Sequence, residues 1–361
     1  AQVGSINAIG TGGVSNDTTR MQNAAQNGAV VSNNSWGVGG SGGSGYVARC
    51  GTIDGLVRDP DTGTAHVERM TMVMAAGNDG GFAGTVGIPH EAKNTIVVGN
   101  SLTSRPNDER PSDDIRGMSG RSSRGPAVDG RILPTVVAPG EDIVSARSTI
   151  DSQPATPGIQ PNRPAWTDSG GTVHNQHTLM SGTSMAAPHV SGAVALLAQR
   201  WQERTGQRPS PALVKALLVN TAEDMSGGPN WRAMWPTWTT SGSNFTITGL
   251  GFAPTQVVEE VFSTAAYSNL TQVANVAAIT AGGQWTYNAG TDTLTVRTTT
   301  GGRPYGGGVN NVGIWVLDPN PVAPIPNNDQ GWGRVSTDNL LLSSPDSDRG
   351  PRLVVDERLG F

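Results

Sequence analysis

Between Gly182 and Leu197 the chain runs Gly-Thr-Ser-Met-Ala-Ala-Pro-His-Val-Ser-Gly-Ala-Val-Ala-Leu-Leu, and this stretch restricts the possible folds most. From Ser184 to about Arg200 it has helical spacing and few breakers. Its side chains are so small that the helix can lie close against a neighbouring layer. Ser184 falls at the helix start, where unbonded backbone N–H groups and the helix dipole favour negative charge. An acyl-transfer nucleophile needs such a place, because its attack puts negative charge on the former carbonyl oxygen. A small-residue helix packed on a sheet accounts for the same composition without chemistry.

The preceding residues say what that helix packs on. Up to about residue 150, short apolar runs alternate with helical stretches, the pattern of a parallel sheet with crossover helices. The spacing predicts strands near 3–9, 29–33, 70–76 and 95–99, with helices near 17–27 and 47–58. Ligand sites in such sheets lie beyond the C-terminal ends of the strands. Two loops occupy that place: Asn34-Ser35-Trp36-Gly37, and Gly77-Asn78 after the run Met70 to Ala76.

Composition narrows the function classes. With 24 Lys and Arg against 29 Asp and Glu, the net charge of −5 gives no case for nucleic acid. A single cysteine, Cys50, rules out an intrachain disulfide and reads as a packed thiol. No apolar run is long enough to span a membrane, and no signal peptide is present.

Gly182-Thr183-Ser184-Met185-Ala186-Ala187-Pro188-His189 resembles the nucleophile motif of the subtilisin-like serine proteases, or subtilases. Asn34 to Gly37, Ala75-Ala76-Gly77-Asn78, Thr85-Val86-Gly87-Ile88-Pro89, Ser122 to Pro126 and Val137 to Gly140 are similar to that family's other segments, in the same order. The resemblance implies an α/β fold: a three-layer parallel sheet with helices on both faces. It implies Ser184 as nucleophile and Asn78 as the amide donor to the oxyanion. Ser35, Trp36 and Gly37 would pair with extended substrate and wall the primary specificity pocket, Ala75 and Gly77 would line its edge, and Gly87 its floor. A glycine floor with no charge facing it suggests apolar or aromatic residues before the cleaved bond. The substrates would be proteins or peptides, with no cofactor needed for the chemistry, and the family habit is export from the cell. Structural calcium is an option that the resemblance brings, with Asp108, Asp113, Asp114, Asp142 and Asp329 as available oxygen donors but no trusted ligand spacing.

A serine nucleophile needs a base, and the family's Asp-Ser/Thr-Gly and His-Gly-Thr-His motifs are not found ahead of Ser184. Asp61-Thr62-Gly63 and Asp168-Ser169-Gly170 have similar letters in the wrong order. His66, His90, His174 and His177 lack the motif context, and His189 is a position the family does not use as base. The family order places both missing motifs before residue 3, so an upstream segment is expected to supply them, and this chain by itself is expected to be inactive. A degenerate subtilase serving as a binding or scaffold module is the competing reading. The acid-acting sedolisins are disfavoured, because they have an aspartate where Asn78 stands.

Four parts are expected: an N-terminally incomplete protease core over 1–226, an inserted β-rich module over 227–327, a return to the core over 328–343, and a tail or truncated β-domain over 344–361. The module is inferred because the family's Gln-Gly-Trp-Gly-Arg-Val segment, here Gln330 to Val335, follows its helix after a hundred residues instead of a few. Strand-like runs lie at 244–250, 272–281, 285–298 and 312–317. Trp231, Trp235 and Trp238 stand at its entry as a packed junction or a glycan-stacking face. Arg124 reads as a structural anchor, and 151–178 as a long surface loop.

Overall fold

A computed structural model describes residues 14–37, 45–65, 67–80, 82–104, 114–147, 165–168, 170–234, 238–261, 266–304 and 312–342. The strand expected at 3–9, the tail expected over 344–361, and His66, Asp108, Asp113, Ser169 and Trp235 lie outside these residues.

Four parallel strands form the centre: β1 (Val31–Asn34), β2 (Thr71–Ala75), β3 (Ile96–Ser101) and β4 (Val136–Pro139), adjacent in that order. Their apolar runs are continuous because both faces are covered. Along β2 the side chains alternate. Met72 and Met74 meet α1 (Val14–Gln26) and α2 (Ala48–Arg58), whereas Val73 and Ala75 meet α3 (Thr183–Thr205). The helix α4 (Pro211–Thr221) and the short α5 (Thr337–Leu342) join α3 on that face through Val214, Leu218 and Leu340. The result is a three-layer α/β core, as the alternation predicts. The buried thiol of Cys50 belongs to the α2 layer.

The small residues of α3 do what their size allows. Ala186, Ala187, Val190, Ala193 and Val194 are buried against the sheet. The helix ends at Gly206, whose positive φ of 73° lets its N–H reach Gln202 O.

The described part of the expected surface loop over 151–178 is not irregular. It contains β6 (Trp166–Thr167) and β7 (Val173–His174), an antiparallel pair, after β5 (Ile143–Ala146) and before β8 (His177–Met180), which pairs with β5. β8 leads directly into Ser181 and the nucleophile helix. Polar composition concealed these strands, because ladder hydrogen bonds need no apolar side chains.

Residues 230–318 form two antiparallel-rich sheets. One has the order β13 (Ala266–Asn269), β12 (Gln256–Val261), β17 (Val312–Asp318), β9 (Asn230–Ala233). The other runs β10 (Thr239–Ser241), β11 (Asn244–Thr248), β16 (Thr293–Arg297), β15 (Gln284–Asn288), β14 (Thr271–Gln272). Phe245, Ile247, Leu294 and Val296 from one sheet share a core with Val257, Val312, Ile314 and Val316 from the other. The run at 272–281 is corrected: it holds only the end of β14 and a 3-10 turn capped by Asn275. The run at 285–298 is a hairpin of two strands, not one. Trp231 and Trp238 are buried, which excludes them from an exposed stacking face.

The chain leaves the core and returns to the same place. Glu223 and Arg334 exchange two backbone hydrogen bonds of 2.8 Å, and Val137 of β4 bridges Arg334. Arg124 fastens the junction. Its guanidinium, 1% exposed, donates to Asp329 Oδ1 (2.7 Å), Asn230 Oδ1 (2.7 Å) and Trp231 O (2.6 Å). Arg121 does the same nearby, between Glu141 (3.1 Å) and Glu260 of β12.

Candidate active site

Ser184 sits in the first turn of α3, at the C-terminal side of the sheet. Four residues on stands Pro188, which has no N–H to give back to Ser184 O. Ser35 fills that vacancy: its hydroxyl donates to Ser184 O at 2.8 Å, and the Ser184 hydroxyl donates to Ser35 O at 3.3 Å. The carbonyl freed by the proline of the motif thus ties the nucleophile helix to the Ser35-Trp36-Gly37 segment.

Asn78 is oriented by proton geometry. Thr183 N–H, which can only donate, lies 2.9 Å from the Asn78 amide oxygen, and the Thr183 hydroxyl donates to the same oxygen at 3.0 Å. The amide nitrogen therefore faces away from Thr183. Thr183 Oγ1 also accepts from Gly77 N–H at 3.2 Å, so one buried threonine holds both residues of the loop. Gly182 completes the fit. Its φ is +142°, and an added Cβ would lie 3.1 Å from Asn78 Oδ1. With Thr183 N–H taken and Gly182 O occupied by Met185 and Ala186 N–H, the Ser184 N–H meets no acceptor among the described residues.

The remaining sequence-predicted residues divide. Ser35 bonds Ser184 itself, Gly77 and Asn78 are held by the adjacent Thr183, and Gly37 lies against the His90 ring. The Trp36 ring turns away, with its indole N–H on Asn34 Oδ1 at 3.1 Å and the Arg49 guanidinium 4.7 Å over it, so only its backbone belongs to the cleft. Ala75 is corrected. The alternation of β2 sends its side chain into the core under α3, not to a pocket edge. Gly87 O accepts from His90 N–H at 2.9 Å, closing a turn beside the cleft.

The decoys have structural partners. The Asp61 carboxylate accepts from Gln22 (2.7 Å) and Gln26 (2.9 Å) of α1. The Gln26 and Gln22 bonds hold its carboxyl below the ordinary 3.8. Asp168 Oδ2 pairs with His174 Nε2 at 3.0 Å, and Trp166 stacks on that ring at 4.5 Å, within the β6–β7 hairpin. His189 is exposed, with Nδ1 2.9 Å from Met185 O. None of these reaches Ser184 by a hydrogen bond.

His90 is the residue that sequence reasoning undervalued. It is buried, with Nδ1 3.2 Å from Ala76 O and Nε2 3.0 Å from Trp36 O. Burial lowers its pKa from the ordinary 6.5, against the opposing pull of the two carbonyls and of Asp79.

Three of the calcium donors, Asp114, Asp142 and Asp329, lie among the described residues, and each has a partner within the protein. Asp329 is committed to Arg124 and Asn230, Asp114 bonds Arg116, and Asp142 accepts from Ser181. Among the described residues no three His, Cys, Asp or Glu side chains form a metal-sized group.

A three-layer α/β core presenting a serine at a helix start beside an oriented asparagine defines the class. The model of the subtilase family, Peptidase S8, matches residues 1–257, and the chain belongs to that family. It is 35% identical over 154 residues to the serine protease AprX of Bacillus subtilis, covering 42% of this chain and 30% of that protein. Pyrolysin of Pyrococcus furiosus is 40% identical over 108 residues, covering 30% of this chain and 6% of pyrolysin. The match thus spans no more than 30% of either relative. A cold adapted subtilisin-like serine proteinase of known structure aligns with a TM-score of 0.37 at 23% identity, covering 60% of this chain and 57% of that one.

Proposed function

We propose that this chain is the nucleophile-bearing part of a serine endopeptidase that cleaves peptide bonds through an acyl-enzyme on Ser184. The observation that carries the reading is the Asn78 amide, whose oxygen is taken by Thr183 while its N–H₂ and the Ser184 N–H have no acceptor among the described residues. Two such donors are what a tetrahedral oxyanion requires. The segment Ser35 to Gly37 supplies backbone for an extended substrate, with apolar or aromatic residues preferred before the cleaved bond. The setting is extracellular; no helix among the described residues is long and apolar enough to cross a membrane.

Activity depends on an Asp and a His from a segment ahead of Ala1. The Ser184 hydroxyl rests on a carbonyl and not on a base, and β1 has a strand neighbour on one side only among the described residues, leaving an edge beside α3. In the reaction, that His would take the Ser184 proton as Oγ attacks the carbonyl carbon, then give it to the departing amine; water would reverse the sequence to release the acid.

A fluorophosphonate probe tests this. The 361-residue chain should label at Ser184 slowly, whereas a longer product of the same gene, carrying the preceding residues, should label rapidly, and its Ser184→Ala variant not at all. Rapid labelling of the 361-residue chain would place the base within it. Failure of the longer product would favour a binding module built on the protease scaffold.

A further inference from the structure

His90 joins the two segments that follow β1 and β2. One ring nitrogen is 3.0 Å from the carbonyl of Trp36, in the Ser35-Trp36-Gly37 segment, and the other is 3.2 Å from the carbonyl of Ala76, two residues before Asn78. The ring also fills the space of a missing side chain, since a Cβ on Gly37 would lie 2.4 Å from His90 Cε1 and 2.6 Å from Nε2. His90 N–H closes its turn on Gly87 O, and the Cys50 thiol donates to Pro89 O at 3.5 Å from below, so the ring is held from its own backbone. A neutral imidazole has one N–H for two carbonyl acceptors. Its position is therefore imposed by packing between the two segments and not by hydrogen bonding alone.

We propose that His90 is a specificity-determining positioning residue, a crossbar that sets the gap between the segments carrying Trp36 and Ala76 and limits the size of the side chain accepted before the cleaved bond. The proposal rests on the reading of residues 35–37 and 76–78 as substrate walls. A ring against Gly37, between the carbonyls of Trp36 and Ala76, would remove depth that the Gly87 floor by itself would leave. Removing the ring deepens and loosens the pocket, and large side chains gain most. A change of one or two methylenes in such a pocket is worth roughly tenfold or more in discrimination.

The test is an NMR titration of the 361-residue chain with acetylated tetrapeptide acids, Ala-Ala-Ala-X, where X is Ala, Leu, Phe or Trp. In the wild type, amides of residues 35–37 and 76–78 should respond to all four, affinity should fall from Leu to Trp, and only Phe and Trp should shift the His90 ring resonances. In His90→Ala the Trp-to-Leu affinity ratio should rise about tenfold. Unchanged ratios in a folded His90→Ala, or a His90 ring equally indifferent to Ala and Trp peptides in the wild type, would overturn the crossbar. The ring resonances need no variant, so a misfolded substitution leaves the test intact. If no peptide moves the amides of 35–37 and 76–78 in either protein, the substrate-wall reading has failed, and the crossbar fails with it.

Discussion

Replacing Arg124 by methionine removes a buried cation that ties three separate segments together. Its guanidinium serves Asp329 of the return segment, Asn230 of β9 and the carbonyl of Trp231. Methionine restores most of the volume but none of the donors, leaving a carboxylate and two oxygens without their partner. Breaking a buried ion pair from one side costs about 3–5 kcal/mol, a large part of the roughly 5–15 kcal/mol by which domains are stable. At 1.36 kcal/mol per decade the unfolded fraction rises roughly 10²- to 10⁴-fold. With an m value of about 3 kcal/mol per molar urea, the unfolding midpoint falls by about 1–1.7 M. Tryptophan fluorescence reports it, because Trp231, Trp238, Trp285 and Trp315 are buried around the junction and the sandwich core. Asp329→Asn, measured alone and with Arg124→Met, should show coupling above about 1 kcal/mol. A loss below about 1 kcal/mol, or strict additivity, would refute the anchor. The pair also predicts an acid dependence. Burial raises the Asp329 pKa, but the charge and hydrogen bond of Arg124 outweigh it and leave the carboxyl below the ordinary 3.8. A depressed folded pKa gives stability that is complete above 3.8 and is lost as pH falls through the lower, folded value. Arg124→Met should flatten that part of the pH profile.

Thr183→Val keeps the shape of the buried side chain but leaves Gly77 N–H without its acceptor, so a loss of about 1–3 kcal/mol should appear in urea unfolding. Asn78 should keep its orientation through Thr183 N–H, seen as an unchanged side-chain amide resonance. Asp61→Ala should loosen α1, since Gln22 and Gln26 both donate to that carboxylate; hydrogen exchange in α1 should quicken while β2 stays protected, and a uniform change across both elements would count against this role.

Much of the core was legible because its signals are local. The run Met70 to Ala76 reads as a buried strand, and the chain builds β2 there. The small residues after Ser184 read as a close-packed helix, and α3 is that helix. Ser210 followed by Pro211 marks the start of α4, and the structure has the serine hydroxyl capping Leu213 N–H. The β-rich character of residues 244–317 was visible from threonine and β-branched runs. Their division was not, since the reversal between β15 and β16 depends on a turn around Asp292, which adopts φ 46°.

By itself, then, the sequence determined the strands and helices of the central α/β core, where a reactive serine could stand, and the family that places Asn78 beside it. Only the tertiary structure decided what each polar side chain is for. Asp61-Thr62-Gly63 has the letters of a catalytic motif, yet it holds glutamines 35 and 39 residues away. His90, one uncharacteristic residue in a turn, spans carbonyls 14 and 54 residues distant, and Arg124 finds Asp329 across 205. Backbone periodicity is set by neighbours within a few residues, so it is written in the local order of the chain. A hydrogen bond is satisfied by whichever group the fold brings within 3 Å or so, and that choice exists only once the layers have packed.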